Sequence, residues 1–386
     1  MTVTQPKGFR AAGVAAGIRN GEGPDLAFVV NDGPQFAAAG LFTRNKVKAA
    51  PVLWSQQVLT TGKLRAVVLN AGNANACTGP QGFQTAHATA EKAAELLGCG
   101  AIEVAVCSTG LIGSQLPRDN VLDGVAAAHA ALGADAAAGR AAATAVMTTD
   151  TVPKEVAHVD AAGWSIGGFT KGAGMIAPSM ATMLTVITTD AVLDAAALDA
   201  ALRPAVRVSF DRLDIDGCMS TNDTVLLLAS GASGVVPDTD AFGAALTDLC
   251  KDMARQMQAD AEGVTKRITV RVGGAASEDD AVTIARTVAR DNLVKAALFG
   301  SDPNWGRIAA AVGYSDAEVD PDKIDVTING VLLCRGGAAA GDRSAADLKG
   351  TDILVEIGLG LGDGAAEILT TDLSYGYVEE NSAYSS

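Results

Sequence analysis

A chain of 386 residues that is 48% hydrophobic, with 43 glycines and only 4% aromatic residues, can bury a sizeable core in two or three subdomains and is too apolar to be disordered. Its formal net charge of −15 argues against nonspecific nucleic-acid binding, which needs clustered Lys and Arg, and favours a small-molecule substrate. The six cysteines form no C-x-x-C pair and the segment MTVTQPKGFRAAG has no apolar stretch of the signal-peptide kind, as expected of a cytosolic protein with reduced thiols.

In chain order, β-branched runs at Leu26 to Val30, Arg65 to Leu69 and Glu103 to Cys107 predict strands. Between and after them, Thr85 to Leu97 and an alanine-rich stretch from about Leu122 to Met147 predict helices. Trp164 to Thr170 and Met183 to Thr189 predict two more strands, followed by a helix from Ala195 to Arg207 and a buried strand from Thr224 to Leu228. A long helix is expected from Asp238 to Glu262. Arg267 to Val272 alternates apolar with polar residues and predicts a half-exposed strand. Ser277 and the acids after it cap a helix expected to run to about Phe299. Strands near Lys323 to Ile328, Asp352 to Ile357 and Glu367 to Thr371 complete an α/β (α+β) chain, whose softest boundary lies near Gly273 to Ser277. The long uncharged run from Gly172 to Thr189 holds Pro178 and several threonines, too polar for a transmembrane span.

The most informative segment is Lys171-Gly172-Ala173-Gly174-Met175-Ile176-Ala177-Pro178-Ser179-Met180-Ala181-Thr182-Met183-Leu184. Glycines permit strained turns and Pro178 fixes one φ, so this loop can press the Thr182 hydroxyl against the Ala181 carbonyl. Scission there would make Thr182 an N-terminus whose α-amine, with a pKa of roughly 7.7–8.0, is its own general base. A turn leading into a strand is the plainer reading of the same residues. They also fit G-x-G-x-x-A, but that dinucleotide fingerprint needs a helix after the glycines, and a strand is predicted instead.

Further along, Thr109 and Gly110 follow a strand end and could stabilise an oxyanion, or simply form a turn. Glu262 ends a predicted helix before Gly263, where a carboxylate opposes the helix dipole. His87, His129 and His158 have no partners at ligand or triad spacing, and Asp214-Ile215-Asp216-Gly217 is a poor match to a calcium loop. No metal or cofactor site is expected.

Taken together, KGAGMIAPSMATML, STGLIG, DAEGVTKR, FGSDPNWGR and YVEENSAYSS resemble the ornithine acetyltransferase (glutamate N-acetyltransferase) family of arginine biosynthesis, from Gly8 to the last residue. The resemblance implies cleavage between Ala181 and Thr182 into an α chain (1–181) and a β chain (182–386), assembled as an α2β2 heterotetramer. It implies Thr182 as nucleophile and Thr109 and Gly110 as the oxyanion pair. Substrate contacts would come from Lys171, Glu262, Asn381, Ser386 and a threonine of Thr148-Thr149, placed at Thr148. Acetyl would pass from N2-acetylornithine to glutamate through an acetyl-threonine, with acetyl-CoA left open as a second donor. The chain departs from many relatives in carrying Ser386 where they end in threonine, and Leu369-Thr370-Thr371 where they have a tryptophan–threonine–cysteine stretch.

The fold so implied is a layered αββα sandwich, similar to N-terminal-nucleophile enzymes in layering but not in connectivity. It would occupy residues 1–275, with a C-terminal α/β subdomain at 276–386. Two other functions are compatible with the residues: an aminopeptidase or amidase of the same architecture, and a non-enzymatic amino-acid-binding protein.

Overall fold

The computed structural model describes residues 2–177 and 183–383. Ala181, Thr182 and Ser386 therefore lie outside the described residues. The chain divides into two compact units, Met1–Asp211 with Cys218–Met257, and Arg212–Gly217 with Gln258–Ser386.

The first unit runs β1 (Phe9–Val14), β2 (Leu26–Asn31), β3 (Ala37–Phe42), α1 (Ala50–Leu59), β4 (Ala66–Asn70), α2 (Gly79–Leu97), β5 (Val104–Ser108), α3 (Arg118–Ala130) and α4 (Ala136–Ala145). It continues with β6 (Lys154–Val159), β7 (Ser165–Lys171), β8 (Leu184–Thr189), α5 (Ala195–Arg207), β9 (Thr224–Ala229) and α6 (Thr239–Ala259). Two sheets result, of order β1-β2-β4-β5 and β3-β9-β8-β7-β6. β4 lies parallel to β5 and β8 parallel to β9. Parallel neighbours need a crossover, which α2 and α5 supply.

Every residue of β2, β4, β5, β7, β8 and β9 is buried, so both faces of each sheet are covered. That is why β2, β4, β5 and β9 read as near-continuous apolar runs rather than alternating. α2 lies on β4 and β5 and α3 on β1 and β2. α5 lies on β3, and α6 reaches the second sheet through Met257, whose sulfur accepts from Thr170 Oγ1. Between the sheets, Leu184, Val186, Leu226 and Leu228 share one core with Phe28 and Val68. Thr185, alternating with them, bonds Thr170 Oγ1 at 2.7 Å on the side of α6. α1 touches β5 and β3, and α4 touches β1, β2, β6 and β7, closing the two ends of the sandwich. The expected αββα layering is present in this unit.

The second unit holds β10 (Arg267–Ala275), α7 (Glu278–Arg290), α8 (Asn292–Phe299), α9 (Trp305–Gly313), β11 (Asp325–Ile328), β12 (Val331–Arg335), β13 (Ala338–Ala339), β14 (Asp352–Gly358), β15 (Gly364–Thr371) and α10 (Tyr375–Ala383). Its sheet has the order β13-β12-β11-β14-β10-β15. Ile268, Val270 and Val272 of β10 join the core with Ile284 and Val288 of α7, while Arg271 on the other face pairs with Glu356 and Glu367 at 3.0 and 2.6 Å. The alternation predicted for this strand is therefore observed. Because β10 pairs with β14 on one side and β15 on the other, it belongs wholly to the second unit. The division falls between Met257 and Gln258, ahead of the 275/276 boundary read from the sequence.

Two helices are broken where the sequence suggested continuity. Gly133 exchanges backbone hydrogen bonds with Ala11 at 2.8 and 3.0 Å, which takes it out of any helix, and Asp135 then caps α4 through the Ala138 N–H. Asp291 is extended and caps α8 through the Val294 N–H, separating it from α7.

Candidate active site

β4 and β5 end side by side at Asn70 and Ser108, and their side chains lock the ends together. Ser108 Oγ donates to Asn70 Oδ1 at 2.6 Å, and Asn70 Nδ2 donates to the Asn73 carbonyl at 2.9 Å. Thr109, fully buried, follows at once, its N–H on the Asn70 carbonyl at 2.9 Å. Gly110 has φ of +130°, and a Cβ there would lie 2.3 Å from the Gly72 carbonyl carbon and 2.5 Å from the Asn73 nitrogen. Only glycine fits this turn.

β7 delivers Lys171 to the same place. The residue is 1% exposed, and its ammonium donates to Thr148 Oγ1 at 2.8 Å and Thr109 Oγ1 at 3.2 Å. Asp150 Oδ2 stands 3.9 Å away. The other Asp150 oxygen accepts from Lys154 Nζ at 2.6 Å and from the Gly172 N–H at 2.7 Å. Burial alone would push the Asp150 carboxyl up. The charges of Lys171 and Lys154 and these hydrogen bonds outweigh it and hold the group below the usual carboxylate range. Two ammonium groups thus bear on one carboxylate.

A lysine ammonium has no lone pair, so both threonine oxygens accept from it and keep their own O–H protons to donate elsewhere. Thr109 and the Gly110 turn can therefore present donors to an oxyanion. Of the Thr148–Thr149 pair, Thr148 joins the cluster through its hydroxyl.

In the second unit, Glu262 is largely buried and lies in the turn beyond α6, not on the helix, which ends three residues sooner than expected at Ala259. The argument from the helix dipole therefore does not apply to it. Asn381 of α10 donates from Nδ2 to Glu262 Oε2 at 2.8 Å and to the Tyr377 carbonyl at 3.0 Å. Gly263, with φ of +60°, leaves room for α10: a Cβ would lie 2.0 Å from the Tyr377 nitrogen.

The sequence did not single out Asp150, Lys154, Asn222 or Asp223. The first two are readable only as an acid and a base four residues apart, a common surface pattern, yet both are buried. His87 stacks near Trp54 and His158 near Trp164, away from either cluster. Among the described residues, no group of three or more His, Cys, Asp or Glu side chains could hold a metal ion, and no helix is long and apolar enough to cross a membrane.

The ArgJ family profile matches residues 10–386. This chain belongs to the ArgJ family. Arginine biosynthesis bifunctional protein ArgJ of Mycolicibacterium paratuberculosis is 61% identical over 389 residues, covering all of this chain and 96% of that protein. The ArgJ of Streptomyces coelicolor is 58% identical over 386 residues, covering both chains completely. A solved ornithine acetyltransferase from Mycobacterium tuberculosis, complexed with ornithine, is 61% identical over 46% of this chain and 95% of its own, with a TM-score of 0.46. The motif-based resemblance to this family is thus borne out. On this ArgJ chain, Thr109, Gly110, Thr148 and Lys171 come together in one unit and Glu262 and Asn381 in the other.

Proposed function

We propose that this chain is a self-processing glutamate N-acetyltransferase that moves the acetyl group of N2-acetylornithine to glutamate through Thr182. The observation that carries the reading is the buried Lys171 ammonium, held on the hydroxyls of Thr109 and Thr148 beside the glycine-only turn at Gly110. Membership of the ArgJ family supports a place in arginine biosynthesis.

Thr182 Oγ attacks the Ala181 carbonyl, the peptide bond passes to an ester, and water releases an α chain of 1–181 and a β chain of 182–386. The freed α-amine then takes the Oγ proton as Oγ attacks the acetyl carbonyl. Thr109 O–H and the Gly110 N–H stabilise the oxyanion, a contribution of about 10²–10³ in rate for one such donor. Ornithine leaves with a proton on its amine and an acetyl-threonine ester remains. The amine of glutamate attacks that ester and regenerates Thr182. Glu262 suits the cationic end of ornithine, and Lys171, Asn381 and Ser386 suit carboxylates.

One nucleophile used by two substrates in turn gives ping-pong kinetics. The pieces assemble as α2β2 in the cytoplasm. The name bifunctional, carried by the relatives, favours acetyl-CoA as a second donor. The test is intact-mass spectrometry joined to product analysis. Two fragments, the second beginning at Thr182, with acetylglutamate formed in proportion to ornithine, are expected. Free acetate without acetylglutamate would mark a hydrolase, and an uncut, inactive chain would leave only an amino-acid-binding protein.

A further inference from the structure

The loop before β9 carries two adjacent polar side chains that the mechanism above does not use. Asn222 Nδ2 donates to the Ser108 carbonyl at 2.8 Å and to the Ala74 carbonyl at 2.6 Å. It is thereby tied to the residue just before Thr109 and to the segment against which Gly110 packs. Asp223 turns the other way. Its Oδ1 accepts the Met183 N–H at 3.1 Å, and its backbone carbonyl accepts the Thr43 N–H at 3.0 Å. Met183 is held on its far side as well, its carbonyl accepting the Thr224 N–H at 3.1 Å. The Met183 nitrogen is covalently bonded to the carbonyl carbon of residue 182, so Asp223 grips the peptide group that follows the proposed nucleophile.

This is an expensive way to satisfy one N–H. Asp223 is fully buried, and the hydroxyls of Thr43 and Ser220 bear on its carboxyl as well. Burial pushes the carboxyl well above the usual range, against the pull of the Met183 N–H, the Lys171 charge and the Thr43 and Ser220 hydroxyls. A carboxyl and an asparagine amide have nearly the same shape and offer the same acceptor oxygen to the Met183 N–H.

Resting on the acetyltransferase reading, we infer that Asp223 is a positioning residue. With Asn222 it forms a clamp that sets the peptide after Thr182 against the Thr109–Gly110 turn, for self-cleavage and for acetyl transfer alike. Neither side chain touches the substrate in this role. The clamp fixes how far the attacking oxygen stands from the donors that must meet the oxyanion, and a displacement of about 1 Å in such a geometry is worth about 10²-fold in rate.

The full-length chain is tested as wild type and as Asp223→Ala, Asp223→Val and Asp223→Asn. Cleavage is followed by intact mass and acetyl transfer by steady-state kinetics, with circular dichroism and thermal unfolding as the check of fold. D223A and D223V are expected to cleave at least tenfold more slowly. Once cleaved, both should lose kcat tenfold or more with KM for both substrates within threefold, while D223N restores both rates to within threefold of wild type. A folded D223A with wild-type cleavage and kcat overturns the inference, and so does a folded D223N as impaired as D223A. Should neither D223A nor D223V fold, D223N decides: retained kcat supports the clamp and a tenfold loss removes it. A wild-type chain that neither cleaves nor transfers acetyl sinks the function reading and the clamp with it. An active wild type matched by D223A sinks the clamp alone.

Discussion

Thr109 and Lys171 make the sharpest single-residue predictions. On the proposed mechanism, Thr109→Ala removes one donor to the oxyanion, and kcat is expected to fall about 10²–10³-fold with KM little changed. Steady-state kinetics on fully cleaved protein checks this, and Thr109→Ser should recover most of the loss. Lys154→Met strips Asp150 of its 2.6 Å partner while the carboxylate stays buried, a change that costs about 3–5 kcal/mol. Urea unfolding measures it. The pH dependence follows from the same carboxyl. Asp150 sits below its ordinary value in the fold, so its contribution is complete above the unfolded pKa of about 3.9 and is lost as the pH falls through the lowered value. Wild type should lose urea resistance on acidification through that window, and Asp150→Asn should be less stable at neutral pH with a flatter acid slope. Thr109, Gly110 and Lys171, which the structure brings together, could be singled out in the sequence because each sits in a short local motif. Asp223 and Asn222 were not, because their partners lie 40 and 114 residues away.

Elements show the same split between local and distant causes. Strands buried on both faces announced themselves as unbroken apolar runs, and α5 was predicted at the bounds observed, Ala195–Arg207. The alanine-rich stretch misled because helix propensity is uniform across it. What separates α3 from α4 is the pairing of Gly133 with Ala11, a contact no window of sequence contains. β1, β3 and β6 were missed as well, being short strands rich in alanine or mixed in polarity, whose conformation is imposed by their neighbours. Glycine at two turns gives an element-scale test. Gly110→Ala drives a methyl into the Gly72–Asn73 backbone, and overpacking of this kind costs about 1–3 kcal/mol. Gly263→Ala drives one into the first turn of α10, and should raise KM for acetylornithine by displacing Asn381 and Glu262 together. Thermal unfolding and kinetics on the two variants separate the effects.

At the scale of the whole molecule, the α/β (α+β) class was readable from the run of strands and helices and the αββα layering from the family resemblance, whereas the division into units was not. The 275/276 boundary was placed at a loop with soft sequence, but β10 is fixed by its two neighbours in the sheet. The five-stranded sheet has a further property. Strands β3, β7 and β6 precede the 181–182 bond and β8 and β9 follow it, yet their order is β3-β9-β8-β7-β6. Cleaved fragments are therefore expected to co-elute on size exclusion and to separate only in denaturant. Before the cut, β7 finds β8 across a closed loop of chain, an intramolecular search whose entropy grows only slowly with loop length. After the proposed cut, the same pairing would be an encounter between two molecules and would depend on their concentration. Cut as proposed, the protein would fold as one chain and persist as two: its first folding would be a first-order event, and any later recovery from denaturant a second-order one that dilution defeats.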